Sequence, residues 1–317
     1  MPGPQLNRLA LQVADRMAAD AERLRISVTE DDGARLIDCG AAVPGGVEAG
    51  RLLAEASMAG LGAVTVAATA VTGEEGPAAV VRTDHPIAAC MAAQYAGWEV
   101  KGDGYFAMGS GPMRAAAGRE DLFADIGFTE QAEACLGVLE TNTAPPAEVC
   151  ADIARKCGVA TDNLTLLYAP TNSLAGNLQV VARSVETALH KLHELGFDLN
   201  RIQSAWGTAP LPPVAGDALT GIGRTNDAIL YGGQVVLYVR GDDDSLAAIA
   251  PRLPSGASPD HGRPFGELFA AYDHDFYKID KLLFSPARAT LANLDTGRSH
   301  AAGEVLPDVL RQSFGLS

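Results

Sequence analysis

The sequence predicts an α+β protein, and three observations carry that class. Helical and extended patterns are interleaved along the chain without a strict βα repeat, which disfavours a doubly wound sheet. Apolar residues make up 47% and charged residues 20% of 317, a globular balance with enough chain for one large domain or two lobes. No internal repeat or low-complexity tract interrupts the pattern.

The elements follow in order. Residues 5–24 carry Leu6, Leu9, Val13, Met17 and Leu24 at helical spacing. Strand-like runs cover 26–30 and 35–39, a turn covers 41–46, and 47–58 is helical. Residues 63–70 and 78–83 are rich in Val, Ala and Thr and predict strands. Asp84-His85-Pro86 opens a helix, Asp as cap and Pro in its first turn. Gly109-Ser110-Gly111 forms a glycine turn before an Ala-rich helix near 113–119, and strand and helix alternate through 133–168. A helix then runs from Thr171 to Gly196, capped by Asn172 or Ser173 and stopped by Gly196, with Val181, Val185, Leu189 and Leu192 on its core face. Residues 201–206 predict a strand, 207–213 and 221–227 loops, and 235–240 a strand. Asp242-Asp243-Asp244 is a solvated acidic turn and 251–264 a flexible connection. The approximate lobes are 1–168 and 169–317.

Charge and cysteine usage narrow the function. A formal charge of −15 repels phosphate backbones and anionic lipid, so no nucleic-acid or membrane partner is expected. The opening residues show no leader pattern, and no apolar run spans a bilayer. Cys39, Cys90, Cys135, Cys150 and Cys157 are odd in number and lack a CxxC, which predicts reduced thiols and a cytoplasmic setting. Cys150 and Cys157 mark one buried helix face.

The pair Arg183 and Glu186 is the sharpest chemical signal. Three residues apart on an apolar helix, they share one face and can pair. A carboxylate held beside a fixed cation is an acid/base group in defined geometry; the plainer alternative is a surface ion pair. Gly109-Ser110-Gly111 can offer backbone N–H groups to a ligand, but lacks the spacing of GxGxxG, GxSxG or a Walker loop, and a ligand-free turn is the alternative. Asp84-His85 is a possible catalytic pair or a helix cap. His190 and His193 fit a helix end better than a metal site. Gly223-Arg224-Thr225-Asn226-Asp227 gathers a cation, an amide and a carboxylate in one segment.

Seven segments, in order across nearly the whole chain, together resemble one family. They are Ile37-Asp38-Cys39-Gly40, Thr83-Asp84-His85-Pro86, Gly104-Tyr105-Phe106-Ala107-Met108-Gly109-Ser110-Gly111-Pro112 and Val181-Ala182-Arg183-Ser184-Val185-Glu186-Thr187. Next come Gly207-Thr208-Ala209-Pro210, Gly223-Arg224-Thr225-Asn226-Asp227-Ala228-Ile229-Leu230-Tyr231-Gly232-Gly233 and Asp275-Phe276-Tyr277-Lys278-Ile279-Asp280. The chain thereby resembles the methenyltetrahydromethanopterin cyclohydrolases of methanogens and methylotrophs. The resemblance implies two mixed α/β lobes enclosing a substrate pocket, a homotrimer, and cytoplasmic one-carbon metabolism such as formaldehyde oxidation. It implies hydrolysis of 5,10-methenyl-tetrahydromethanopterin to the 5-formyl compound, with the pterin as substrate and no metal or cofactor. Arg183 and Glu186 carry over as catalytic residues. Asp84, His85, Tyr105, Ser110, Gly111, Arg224, Thr225 and Asn226 carry over as substrate-binding residues. The alternative is a pterin-binding protein without turnover.

Overall fold

The structure, a computed structural model, describes residues 4–31 and 33–316, with Tyr277 described through its backbone alone; residues 1–3, part of the stretch read for a leader, lie outside the described residues. The strands are β1 (Ser27–Asp31), β2 (Ala34–Asp38), β3 (Gly62–Thr69), β4 (Gly76–Thr83), β5 (Trp98–Gly102), β6 (Tyr105–Ser110), β7 (Cys135–Glu140), β8 (Leu164–Ala169), β9 (Ile202–Pro210), β10 (Gln234–Val239), β11 (Arg288–Asn293) and β12 (Ser299–Gly303). They form two six-stranded sheets, ordered β1-β2-β8-β7-β6-β5 and β12-β11-β10-β9-β4-β3. The α+β class with two mixed units holds. One compact unit is Met1–Ala63 with Ile87–Gln179, the other Val64–Pro86 with Val180–Ser317. This division differs from the expected one at 168/169. Residues 64–86 join the C-terminal part because β4 pairs with β9, Ala78 opposite Pro210 through Thr83 opposite Ala205.

In the first unit the parallel strands β2, β8 and β7 are flanked by antiparallel neighbours. Helices cover both faces, so β8 reads as the unbroken apolar run Leu164-Thr165-Leu166-Leu167-Tyr168-Ala169, all buried. Ile37, Leu136 and Leu167 face Val13, Met17 and Leu53 on one side. Leu36, Leu139 and Leu166 face Val149, Cys150 and Ile153 on the other. All five cysteines are free and buried, Cys150 and Cys157 on one helix, Ala147–Cys157. The Asp38 carboxylate closes the turn after β2, accepting the N–H groups of Gly40, Ala41 and Ala42 at 2.8, 2.7 and 2.7 Å. The helix after Pro86, Ile87–Gln94, has the wider π form. The buried Arg114 guanidinium donates to the Met91 and Ala93 carbonyls, satisfying acceptors that the helix end leaves open.

In the second unit β9 lies between β10 and β4, and helices Ser184–Glu194 and Ala218–Gly232 pack against it. Four expectations are corrected here. Residues 207–210 are not loop but the end of β9, with Pro210 at its last position. Residues 221–227 are not loop but lie within Ala218–Gly232, capped by Asp217, which accepts the Thr220 N–H at 2.9 Å. Glycine is a poor helix former, yet the helix forms, with Gly223 packed beside Gly266 of the helix Phe265–Ala271, where a Cβ would make ordinary van der Waals contact at 3.4 Å. The acidic run is a helix start: Asp242 accepts the Ser245 N–H at 2.8 Å and caps Asp243–Ile249. Residues 251–264 are tied down rather than loose: Ser255 N–H donates to Pro286 O at 3.0 Å, Ser255 Oγ to Leu230 O at 2.5 Å, and Ser285 Oγ to Leu253 O at 2.7 Å. Among the described residues, no helix is long and apolar enough to cross a membrane.

Candidate active site

The helical run carrying Arg183 and Glu186 begins where Ser173 Oγ accepts the Gly176 N–H at 3.0 Å, and ends at Gly196 with φ +76°. It is not one helix, as the sequence predicts, but two: Leu174–Val181 and Ser184–Glu194. Arg183, at φ −96° and ψ 10°, is the N-cap of the second. The break places Glu186 in the first turn of the second helix, the end of a helix where an acidic residue is favoured. The predicted core stripe is present, with Val181, Val185, Leu189 and Leu192 fully buried.

Arg183 and Glu186 are 5% and 4% exposed, so they form no surface ion pair. Arg183 Nη1 lies 3.8 Å from Glu186 Oε2. At that distance the two charges attract as a buried ion pair. Gly207 of β9 decides how closely their helix sits on the sheet: a Cβ there would stand 2.5 Å from Ser184 Oγ and 3.0 Å from Val185 Cγ2. A buried carboxylate, oriented by a guanidinium and a helix start, is a group fitted to take a proton from water and return it.

The other expected residues fall in both units. In the second, Asp84 is exposed and accepts from Ser204 Oγ at 2.6 Å, instead of capping the following helix. His85 is exposed, its backbone N–H on Thr83 Oγ1 at 3.0 Å. Arg224 donates through Nε to Ser313 O and through Nη1 to Pro213 O, both at 3.1 Å. Thr225 is fully buried, its hydroxyl on Gly221 O at 2.9 Å, and Asn226 Nδ2 donates to Ile222 O at 2.9 Å. Thr225 and Asn226 brace their own helix, while Arg224 ties it to the segments carrying Ser313 and Pro213.

In the first unit, burial pushes the Tyr105 hydroxyl up to about 12. Ser110 is buried at the end of β6, opposite Val138. Gly111, at φ +90°, donates its N–H to Ala93 O at 2.8 Å. That amide is spent within the fold, which corrects its reading as a ligand-facing donor. Among the described residues, no group of three or more His, Cys, Asp and Glu is gathered to hold a metal ion.

Of two further buried groups, Asp227 was read only as the carboxylate of a polar segment and Lys191 escaped the sequence reading. Asp227 carries a carboxylate pushed up to about 7 by burial, although it accepts from Phe265 N–H at 2.8 Å and Ser313 Oγ at 2.6 Å. Lys191 is wholly buried on the helix of Glu186, and burial pushes its amine down to about 8. Its place beside Leu192 and three residues after Ala188, on the edge of the apolar stripe, was the available signal.

This fold and buried pair sit in a chain that the cyclohydrolase (MCH) family model matches over residues 5–314, and the chain belongs to that family. It is an enzyme of the hydrolase class. Among its relatives, the methenyltetrahydromethanopterin cyclohydrolase of Xanthobacter autotrophicus is 48% identical over 94% of this chain and 88% of its own. That of Methylobacterium sp. (strain 4-46) is 46% identical over 98% of both chains, and that of Methanocaldococcus jannaschii 40% identical over 98% of both.

Proposed function

We propose that the enzyme interconverts 5,10-methenyl-tetrahydromethanopterin plus water with 5-formyl-tetrahydromethanopterin plus a proton. What supports the substrate is the name shared by relatives at 40–48% identity over nearly the full chain. The observation that carries the mechanism is the buried pairing of Glu186 with Arg183.

The methenyl carbon shares a positive charge with two nitrogens and is already electrophilic. Water attacks it while Glu186 takes one water proton, giving a neutral carbinolamine. Glu186 then passes that proton to N10 as the C–N10 bond breaks. The carbinol hydroxyl releases its own proton, leaving the formyl group on N5 and one net proton in solution. Arg183 holds the carboxylate in orientation; its charge opposes the cationic substrate, and orientation outweighs that cost because misplaced acid/base groups lose most of the gain from proximity. No metal or cofactor takes part in this scheme.

Asp84, His85, Tyr105, Arg224 and Asn226 stay in the proposal as pterin contacts, while the buried Ser110, Gly111 and Thr225 back the binding walls. The cytoplasm, a homotrimer and a one-carbon pathway such as formaldehyde oxidation in methylotrophy complete the reading.

Ultraviolet absorbance tests it, because hydration erases the conjugated methenyl chromophore whereas simple binding only shifts it. Glu186→Gln is expected to bind the pterin and lose roughly 10²–10⁴-fold in rate. Turnover near the wild-type rate in that variant would remove Glu186 from the mechanism.

A further inference from the structure

Lys191 is 0% exposed and its Nζ donates to the Pro254 carbonyl at 2.6 Å. Burying an ammonium against a neutral acceptor costs stability that an apolar side chain of the same length would not. What the charge supplies instead is direction: a short bond from one point on the helix to one carbonyl.

That carbonyl belongs to a rigid platform. Leu253 O accepts from Ser285 Oγ, while Ser255 bonds Pro286 O ahead of β11 and Leu230 O at the end of Ala218–Gly232. The helix Ser184–Glu194 is therefore fixed at two places. Near its start it is pressed on Gly207 of β9, and seven residues on from Ser184 it is pinned by Lys191. Those points lie about 10 Å apart along the axis at a rise of 1.5 Å per residue. Close packing at the first point sets how near the helix lies to the sheet. The bond at the second sets rotation and axial position.

We propose that Lys191 is a positioning residue for the reaction, acting through the helix to keep Glu186 at the reacting carbon; this rests on the catalytic reading of Glu186. The depressed amine agrees with a site chosen for geometry rather than stability, with the Asp280 carboxylate only partly offsetting burial.

The test is a double-mutant cycle of Lys191→Met and Glu186→Gln on the full chain, with kcat, KM and thermal midpoint measured for each. Lys191→Met is expected to lower kcat at least tenfold, to leave KM within about threefold, and not to lower the midpoint. In the Glu186→Gln background the same change should cost less than twofold, because the group it positions is gone. A kcat within twofold of wild type for Lys191→Met would overturn the proposal. So would an equal loss in both backgrounds, or a loss that follows a falling midpoint, since either marks a structural role. Full activity in Glu186→Gln alone overturns the catalytic reading, whatever Lys191→Met does. If Lys191→Met does not fold, Lys191→Gln, with a donor on a shorter arm, carries the same comparison and the same criteria.

Discussion

The Arg183 guanidinium stands 3.8 Å from the Glu186 carboxylate, both side chains buried at the start of one helix. The separation is wide for a hydrogen bond and short for a screened surface pair, so the guanidinium acts on the carboxylate as a fixed neighbouring charge that orients it.

Arg183→Ala should therefore reduce kcat by about 10²-fold, the scale at which loss of orientation is felt. Arg183→Lys should restore only part of it, because an ammonium keeps the charge but loses the planar fork. Steady-state kinetics on the two variants check this. Equal activity of Arg183→Lys and wild type would show that charge alone suffices.

Gly207→Ala tests the seat of the helix. The added methyl would stand 2.5 Å from Ser184 Oγ and 3.0 Å from Val185 Cγ2, so these side chains must turn aside or the helix must give by a few tenths of an ångström. Overpacking of this kind costs about 1–3 kcal/mol. The expected outcome is a lower denaturation midpoint together with a loss of kcat larger than the loss of folded protein.

Asp38 holds the turn after β2. Asp38 is 2% exposed and accepts three backbone N–H groups of a half-buried to exposed turn, all of which Asp38→Ala deprives of their acceptor. At about 0.5–1.5 kcal/mol for each lost hydrogen bond, the variant should lose roughly 2 kcal/mol or more in urea unfolding. Asp38→Asn, which keeps one acceptor oxygen, should lose less.

Asp227 makes stability depend on pH in an unusual direction for a carboxylate. Burial raises it from 3.8 to about 7 in the fold, so between those values the native state holds a proton that the unfolded chain has released. Stability from this group is complete below pH 4 and is lost as pH rises toward 7. Asp227→Asn removes the titration while keeping an acceptor for Phe265 N–H. Its thermal midpoint should match wild type near pH 4 and gain on it steadily up to pH 7. Parallel midpoint curves would rule the effect out.

Local signals made much of this protein legible. The apolar spacing of Leu6, Val13 and Met17 gave the first helix, and for the run carrying Glu186 the Ser173 hydroxyl gave the start and Gly196, at positive φ, the stop. The co-linear motifs pointed to the family, and helical spacing alone put Arg183 beside Glu186. Each of these rests on residues a few positions apart, whose geometry the backbone fixes by itself.

The rest was decided by partners distant in the chain. Gly207-Thr208-Ala209-Pro210 has loop composition, yet β4 and β10 on either side draw it into a sheet. Gly221 and Gly223 weaken a helix, yet it forms, with Gly223 packed beside Gly266. Lys191 carries a charge that by itself belongs in water; a carbonyl 63 residues away keeps it buried. Sequence proximity settles which backbone shapes and neighbouring pairs are cheap. Only the folded chain settles which groups lose their water, because desolvation depends on everything that closes around them.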